Sequence, residues 1–519
     1  MKSKKGEKNI INTIIKSIVA VIVFVLQILV FYFMYMRGIA FANTFTIGSV
    51  ILQLILVLYI LNGKGKLVYK IPWLIFIVFF PVAGTVIYIL SGERTVNRKL
   101  KKAREITLAN SHHLFDSDED VLKEIKAEVE DTDTPKQVNL LRKLTNYPVR
   151  RNEGIEYYEI GEKCFDAILD DMEKAEKYIL IEYFILAKGK LWDKMYNVLE
   201  KKLKEQVKVI IIADGWGSVL RYPTKQMKEL EDLGAIVKKY NPIRFGINHY
   251  INYRDHRKIV VIDGTIGYTG GVNVADEYVN EQQRFGHWKD TGVKIIGKPV
   301  ENLVIAFLKI FELVQKETPD YKWFLDNKKD HNILENNKGY TMFFTDGPDN
   351  KKNPSENIHI SMINAAKEYI YIYTPYFIAS QELLGAILNA ANSGIDVRII
   401  TPSHPDKWYV HMTTRSYYET LLEAGVKVYE YLPGFLHAKS FVTDDNAAVI
   451  GSINLDYRSM NLNFECGVWM HDTGVELEIK EDFINTMKLS KEITLEEVKK
   501  KNIFVKMLEA ILKTFAPML

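Results

Sequence analysis

Long apolar runs open the chain. Past residue 92 they give way to short strand-like apolar runs that alternate with helix-like segments. Residues 10–36 carry one charge, Lys16, and residues 39–61 and 71–90 carry none. A membrane-crossing helix needs about 20 apolar residues, so the first two runs are expected to span. The third is long enough but contains Pro72, Pro81 and Gly84. It is expected either to span or to enter and leave by one face. Three such runs exceed a cleaved leader. Lys2, Lys4, Lys5 and Lys8 precede the first run, and Lys64, Lys66 and Lys70 separate the second from the third. Arg94, Arg98, Lys99, Lys101, Lys102 and Arg104 follow the third, and only Arg37 lies in the loop after the first. If all three basic clusters stay inside, runs one and two form a hairpin and run three does not cross. If all three runs cross, one cluster is outside. The pattern favours a cytoplasmic position for the rest of the chain.

Residues 93–137 are highly charged and read as a solvated helical linker. Beyond them the α/β alternation occurs twice. In the first half, helix-like 162–177, 190–205 and 224–234 alternate with strand-like 178–184 and 207–214. In the second, helix-like 356–368, 380–393 and 409–424 alternate with strand-like 369–377 and 397–402. LEDLGAIVKKYNP and LLEAGVKVYEYLP are one helix–stop–strand unit written in both halves, with Gly234 and Gly425 at the helix stop. Uninterrupted Val/Ile runs between helices favour mixed or largely parallel sheets covered on both faces. Four segments result: a membrane region 1–92, a linker 93–137, and α/β domains at 138–330 and 331–519. The end of the chain has Ile503, Phe504, Met507, Leu508, Ile511, Leu512 and Phe515 at helical spacing among Lys499, Lys500, Lys501, Lys506 and Lys513. It is a helix either packed on the domain or lying on anionic lipid.

A net charge of +3 over 519 residues gives no sign of a nucleic-acid partner. Two cysteines, Cys164 and Cys466, are too few for a disulfide scaffold or a thiolate zinc site, and read as small buried apolar residues.

The chemistry lies in one motif written twice. HRKIVVIDGTIGYTGGVN (256–273) and HAKSFVTDDNAAVIGSIN (437–454) both fit H-x-K-x-x-x-x-D followed by G-x-x-N, at a constant offset. His256, Lys258, Asp263, Gly270 and Asn273 thus have counterparts at His437, Lys439, Asp444, Gly451 and Asn454. Two matches in register imply a duplicated unit whose copies meet at one site. On a strand, His and Lys two residues apart share a face. One neutral imidazole can attack phosphorus, and the other, protonated, can donate to the leaving alcohol. Lys258 and Lys439 are expected to stay charged and stabilise the added negative charge. Gly270 and Gly451 allow close backbone approach, and Asn273 and Asn454 supply amide donors. Each imidazole needs an acceptor on its far nitrogen, and Asp290 and Glu465 are the candidates. Asp263 and Asp444 are expected to fix local backbone or inter-repeat contacts rather than react. Tyr373, Tyr376, Phe377 and Trp216 are candidates for an apolar mouth, with ordinary packing as the alternative.

With these residues the chain resembles the phospholipase D superfamily, whose signature is the paired H-x-K-x-x-x-x-D. The three N-terminal runs, TPYF (374–377), GGVNVADEY (270–278) and SINLDYRSMNLNFE (452–465) are similar to the bacterial cardiolipin synthases within it. The resemblance implies two phospholipase D-like α/β/α sandwich domains in pseudo-twofold arrangement behind a helical membrane region. It implies a catalytic set of His256, Lys258, Asp263, His437, Lys439 and Asp444, with His256 as nucleophile and His437 as general acid. The first copy has Gly271 where the second has Ser452, so one hydroxyl contact differs. The resemblance further implies a multi-pass protein of the bacterial cell membrane that transfers a phosphatidyl group between two phosphatidylglycerols. Its partner is then an anionic bilayer, it needs no cofactor or metal, and a homo-oligomer is left open. Two competing readings are a membrane-anchored hydrolase, phospholipase or nuclease, in which water replaces the lipid alcohol, and a dead scaffold, which two intact motifs argue against.

Overall fold

The computed structural model describes residues 25, 28, 32, 39–63, 67–91, 98–115, 118–128, 133–242, 252–329, 337–348, 350 and 352–518. The chain divides into two compact units, residues 1–98, 243–252 and 510–519 in one, residues 99–242 and 253–509 in the other.

In the first unit the third apolar run is two helices, Leu67–Phe79 and Pro81–Ser91. Pro81 disfavours helical geometry in the residue before it, so the chain turns at Phe80 and Pro81 opens the next helix. Gly84 lets the pair pack closely, because a side-chain carbon there would strike the Phe76 carbonyl and Ile77 Cα. Trp73 meets Tyr88 edge-on at 5.4 Å. At the end of the preceding helix, Ile39–Asn62, Lys70 Nζ donates to the Leu61 and Gly63 carbonyls at 3.1 and 2.6 Å, which helix ends otherwise leave unpaired. Helices of 13 and 11 residues are each short of the about 20 that a span needs. Among the described residues no helix is long and apolar enough to cross a membrane. The described side chains of Ile39–Asn62 begin at residue 47, and the run 10–36 lies outside the described residues but for 25, 28 and 32.

The second unit holds two large sheets. In chain order β1 is Arg150–Arg151, β2 Ile155–Tyr158, β3 Tyr178–Tyr183, β4 Lys208–Asp214, β5 Ile236–Tyr240, β6 Arg254–Asp255, β7 Lys258–Ile262, β8 Ile266–Gly270, β9 His287–Lys289 and β10 Gly292–Ile296. Then follow β11 Tyr340–Asp346, β12 Tyr369–Tyr373, β13 Asp396–Pro402, β14 Lys427–Tyr431, β15 Gly434–Leu436, β16 Ser440–Thr443, β17 Ala447–Gly451, β18 Asn463–His471 and β19 Ser490–Glu492. The first sheet runs β2-β10-β8-β7-β3-β4-β5. The second runs β11-β18-β17-β16-β12-β13-β14 in the same arrangement, with β1 added beyond β11 and β19 beyond β14. In each, three strands are parallel, and the strand that follows H-x-K runs antiparallel to the first of them. All positions of β3 and β12 are buried, as strands covered on both faces require.

Residues 93–137 are not a solvated linker. They contain helices Arg98–His112 and Glu119–Glu128 and the start of Asp133–Thr145. Thr107, Ser111, Leu122, Ile125 and Gln137 are buried. Buried Asp118 takes Arg142 at 2.6 Å and the Val149 N–H at 3.0 Å, and Gln137 Oε1 accepts from Trp469 Nε1 at 3.0 Å. Lys102, Glu105, Glu119, Asp120, Lys123 and Lys126 of this stretch are exposed. The helix expected over 409–424 is two, Trp408–Arg415 and Tyr418–Glu423. In the C-terminal helix, Ile503–Phe515, the apolar Ile503, Phe504 and Met507 are exposed while Glu509 is buried against Lys501 at 2.7 Å.

Candidate active site

Each H-x-K pair sits where its strand enters the sheet, at the edge where the parallel strands leave it. Lys258 lies opposite Tyr183, the last residue of β3, and Ser440 opposite Tyr373, the last of β12. Open α/β sheets place their chemistry at this edge.

The two repeats exchange short strands there. β6, just before His256, pairs in parallel with the start of β18, Asp255 opposite Phe464. β15, just before His437, pairs in parallel with β9, Leu436 opposite Lys289. Each pairing therefore ends one residue short of a histidine on one side and a carboxylate on the other. The His256 N–H donates to the Phe464 carbonyl at 2.9 Å, and the His437 N–H to the Lys289 carbonyl at 2.7 Å. His256 Nδ1 then lies 3.0 Å from Glu465 Oε2, and His437 Nδ1 2.6 Å from Asp290 Oδ2. Each histidine is held by the other repeat's carboxylate. An ionised acceptor on Nδ1 keeps the proton there and leaves the Nε2 lone pair free.

Lys258 Nζ donates to the His256 carbonyl at 2.5 Å, and Lys439 Nζ to the His437 carbonyl. Both lysines are fully buried, and burial pulls their ammonium groups down to about 8 and about 7. Desolvation thus works against the charge that both were expected to keep. Burial also lowers His256, against the pull of Glu465, and lowers His437 to about 3. Burial opposes the charge on Asp290 and Glu465, but the histidine and lysine beside each outweigh it and both carboxyls lie below their ordinary value.

Gly270 and Gly451 do the same work in both copies. A side-chain carbon at Gly270 would strike the Thr291 carbonyl, and one at Gly451 the Cys466 carbonyl, each the residue after the histidine-binding acid. Ser452 Oγ donates to Glu465 Oε2. At the matching Gly271, a side-chain carbon would collide with Asp290 Oδ1, so the shorter acid occupies the space a serine would need. Asn273 Oδ1 accepts from the Ile185 N–H at 3.0 Å. Asn273 Nδ2 and Asn454 Oδ1 are buried and make no hydrogen bond within the described residues.

Asp263 and Asp444, grouped with the catalytic residues by motif, stand apart from this cluster. Asp263 accepts from the backbone N–H groups of Glu176, Lys177 and Tyr178 at 2.7–3.0 Å. Asp444 accepts from those of Lys367, Glu368 and Tyr369 at 2.7–3.0 Å. Each pins the start of the first parallel strand through three backbone donors.

The sequence reading missed an aromatic cage. Tyr278, Trp288 and Phe435 place ring centroids 5.4, 5.3 and 5.8 Å from His437. His256 has Phe184 at 5.0 Å. Trp288 and Phe435 each stand two residues before a site residue, the spacing of one strand face, and that signal was available. Tyr373 and Phe377 are core residues, whereas Tyr376 is half-buried and donates to Asp406 Oδ2 at 2.6 Å. Trp216 is exposed.

Residues 168–286 and 359–487 match the family described as cardiolipin synthase, phospholipase D-like domain, and residues 51–93 match phospholipase D-nuclease N-terminal. An uncharacterized protein of Streptococcus mutans is 37% identical over 89% of this chain and 99% of its own length. Cardiolipin synthase 2 of Staphylococcus epidermidis is 33% identical over 92% of this chain and 98% of its own. Among solved structures, phosphatidylserine synthase of Haemophilus influenzae shares the fold, with a TM-score of 0.56 at 17% identity over 74% of this chain and 98% of that one.

Proposed function

The chain belongs to the phospholipase D-like cardiolipin synthase family, and from that premise we propose that it transfers a phosphatidyl group from one phosphatidylglycerol to another through a phosphohistidine. The observation that carries this reading is the crossed pairing, His256 with Glu465 and His437 with Asp290, which leaves two Nε2 atoms free for one phosphate. His256 Nε2 attacks phosphorus, the bond to the glycerol oxygen breaks, and His437 gives that oxygen its proton. The terminal hydroxyl of a second phosphatidylglycerol then loses its proton to His437 and attacks phosphorus, releasing His256 and forming cardiolipin. Lys258 and Lys439 bind the phosphate oxygens. No step needs a metal, so chelators are expected to leave turnover unchanged.

The match of residues 51–93 to the phospholipase D-nuclease N-terminal family supports a membrane-associated N-terminal unit in this reading. The exposed apolar residues of Ile503–Phe515, amid lysines, fit anionic lipid.

Purified protein in phosphatidylglycerol vesicles tests the function: cardiolipin and glycerol are expected in equal amounts. Phosphatidic acid as the main product would make water the acceptor and the protein a hydrolase. Acid-labile, base-stable phosphate is expected on His256, and trapping it on His437 would reverse the two roles.

A further inference from the structure

The loops that leave the parallel strands beside the two histidines carry exposed apolar side chains in both repeats. Beyond β4, Trp216 is 53% exposed, Val219 50% and Leu220 96%. Beyond β13, Trp408 is 59% exposed, and beyond β14, Leu432 is 52%. Single exposed apolar residues on a protein surface are ordinary. These five share the edge at which Lys258 and Ser440 enter their sheets, since β4 and β13 run parallel to β3 and β12, and β14 parallel to β13.

Each tryptophan loop is tied to its histidine. Asp214, the last residue of β4, accepts from the Trp216 and Gly217 N–H groups at 2.7 and 3.2 Å and from the Asp255 N–H, next to His256, at 3.0 Å. Gly217 lies so close to the Phe184 carbonyl that a side-chain carbon would not fit, and the Phe184 ring packs on His256. In the second repeat, Tyr376 bonds Asp406, two residues before Trp408, and its ring lies 6.4 Å from Phe435, which packs on His437. Cations accompany both loops. The Lys188 N–H donates to the Arg221 carbonyl at the foot of the first at 2.8 Å, and Lys407 precedes Trp408. Both lysines are exposed.

We propose that these two loops seat the catalytic unit on a phospholipid bilayer, with Trp216 and Trp408 at headgroup level, Leu220 among the upper acyl carbons, and Lys188 and Lys407 against anionic headgroups. Tryptophan favours this boundary because its large ring is apolar while its N–H is polar, and lysine reaches headgroups from an apolar stem. The rim of the site is then the contact with lipid, and a headgroup reaches phosphate-binding groups without its chains leaving the bilayer. The inference rests on the reading that the substrate is a phospholipid.

The test uses the full-length protein in vesicles of phosphatidylglycerol and phosphatidylcholine whose acyl chains are brominated near the glycerol. Subtracting the fluorescence of Trp216→Tyr and Trp408→Tyr variants from wild type isolates each ring among the seven tryptophans. Both are expected to be strongly quenched, and unquenched rings overturn the proposal. Quenching replaced by a signal that follows protein concentration, not lipid, assigns the loops to a second copy of the chain and equally overturns it. A triple variant, Trp216→Ser, Leu220→Ser and Trp408→Ser, should turn over vesicle phosphatidylglycerol about tenfold more slowly or worse. It should cleave monomeric dihexanoyl phosphatidylglycerol at the wild-type rate. Equal losses on both substrates would mean that the loops support the site's fold, and the docking role falls. Quenching without any phosphatidylglycerol turnover in wild type sinks the reaction but not the docking. Normal cardiolipin synthesis with unquenched, dispensable loops sinks the docking alone.

Discussion

Lys439 shows most plainly how the site trades stability for charge. Burial, opposed by Asp290 and reinforced by Lys258, brings its ammonium to about 7. Between that value and the ordinary lysine value of about 10.5, the unfolded chain holds a proton that the folded one lacks, so stability rises with pH across this window. Lys439→Met is therefore expected to raise the thermal midpoint at pH 7 and flatten its rise with pH, while lowering turnover by roughly 10²–10³. Calorimetry in detergent and the vesicle assay read the two effects, and a midpoint that falls would mean the lysine is not strained. His437, which burial lowers to about 3, carries no second ring proton at neutral pH. An anionic phosphodiester between two imidazoles and two lysines favours every protonated form. Binding of a non-cleavable phosphonate analogue at pH 8 is thus expected to take up about one proton or more. Titration calorimetry in buffers of different ionisation heats measures it, and zero uptake would leave the leaving group without its acid.

At the scale of elements, the strands around Gly271 and Ser452 carry the asymmetry between the repeats. Gly271→Ala drives a carbon into Asp290 and should cut turnover about a hundredfold by displacing the partner of His437, with circular dichroism unchanged. Ser452→Ala removes the hydrogen bond to Glu465 and the one its hydroxyl accepts from the Cys466 N–H at 3.0 Å, leaves both acids in place, and should cost about tenfold. Equal effects would mean that the two acids are not seated differently. The histidines, lysines and glycines were legible because repeated spacing records which residues share a strand face. Asp290 and Glu465 were legible as the acceptors, but not their crossing between repeats, because Asp255 and Phe464 meet through a two-residue bridge between strands more than two hundred residues apart, and periodicity reports only neighbours along one strand. Asp263 and Asp444 were legible as backbone-fixing residues. What the motif could not show is that both take a left-handed φ of 51° and spend three acceptor contacts on backbone. The misread linker has the same root: a high charge count conceals a buried stripe that includes Leu122 and Ile125.

The whole catalytic unit behaves as one object, although its sheets are duplicates. β1 precedes the first sheet in sequence yet extends the second through Thr341. The helix Asp133–Thr145 packs Gln137 on Trp469. Separate expression of residues 1–333 and 334–519 is expected to give no turnover from either piece, since each histidine lacks its acid, and co-expression is expected to restore it. Activity from either piece alone would show that the crossed pairs are dispensable. The same crossing sets a clock on synthesis. Glu465 lies 209 residues beyond the histidine it holds, and at about 5–20 residues per second the ribosome needs roughly 10–40 s to cover that distance. For that interval a nascent chain carries His256 without its seat. Whatever lipid it already touches is safe from it until Glu465 has been made.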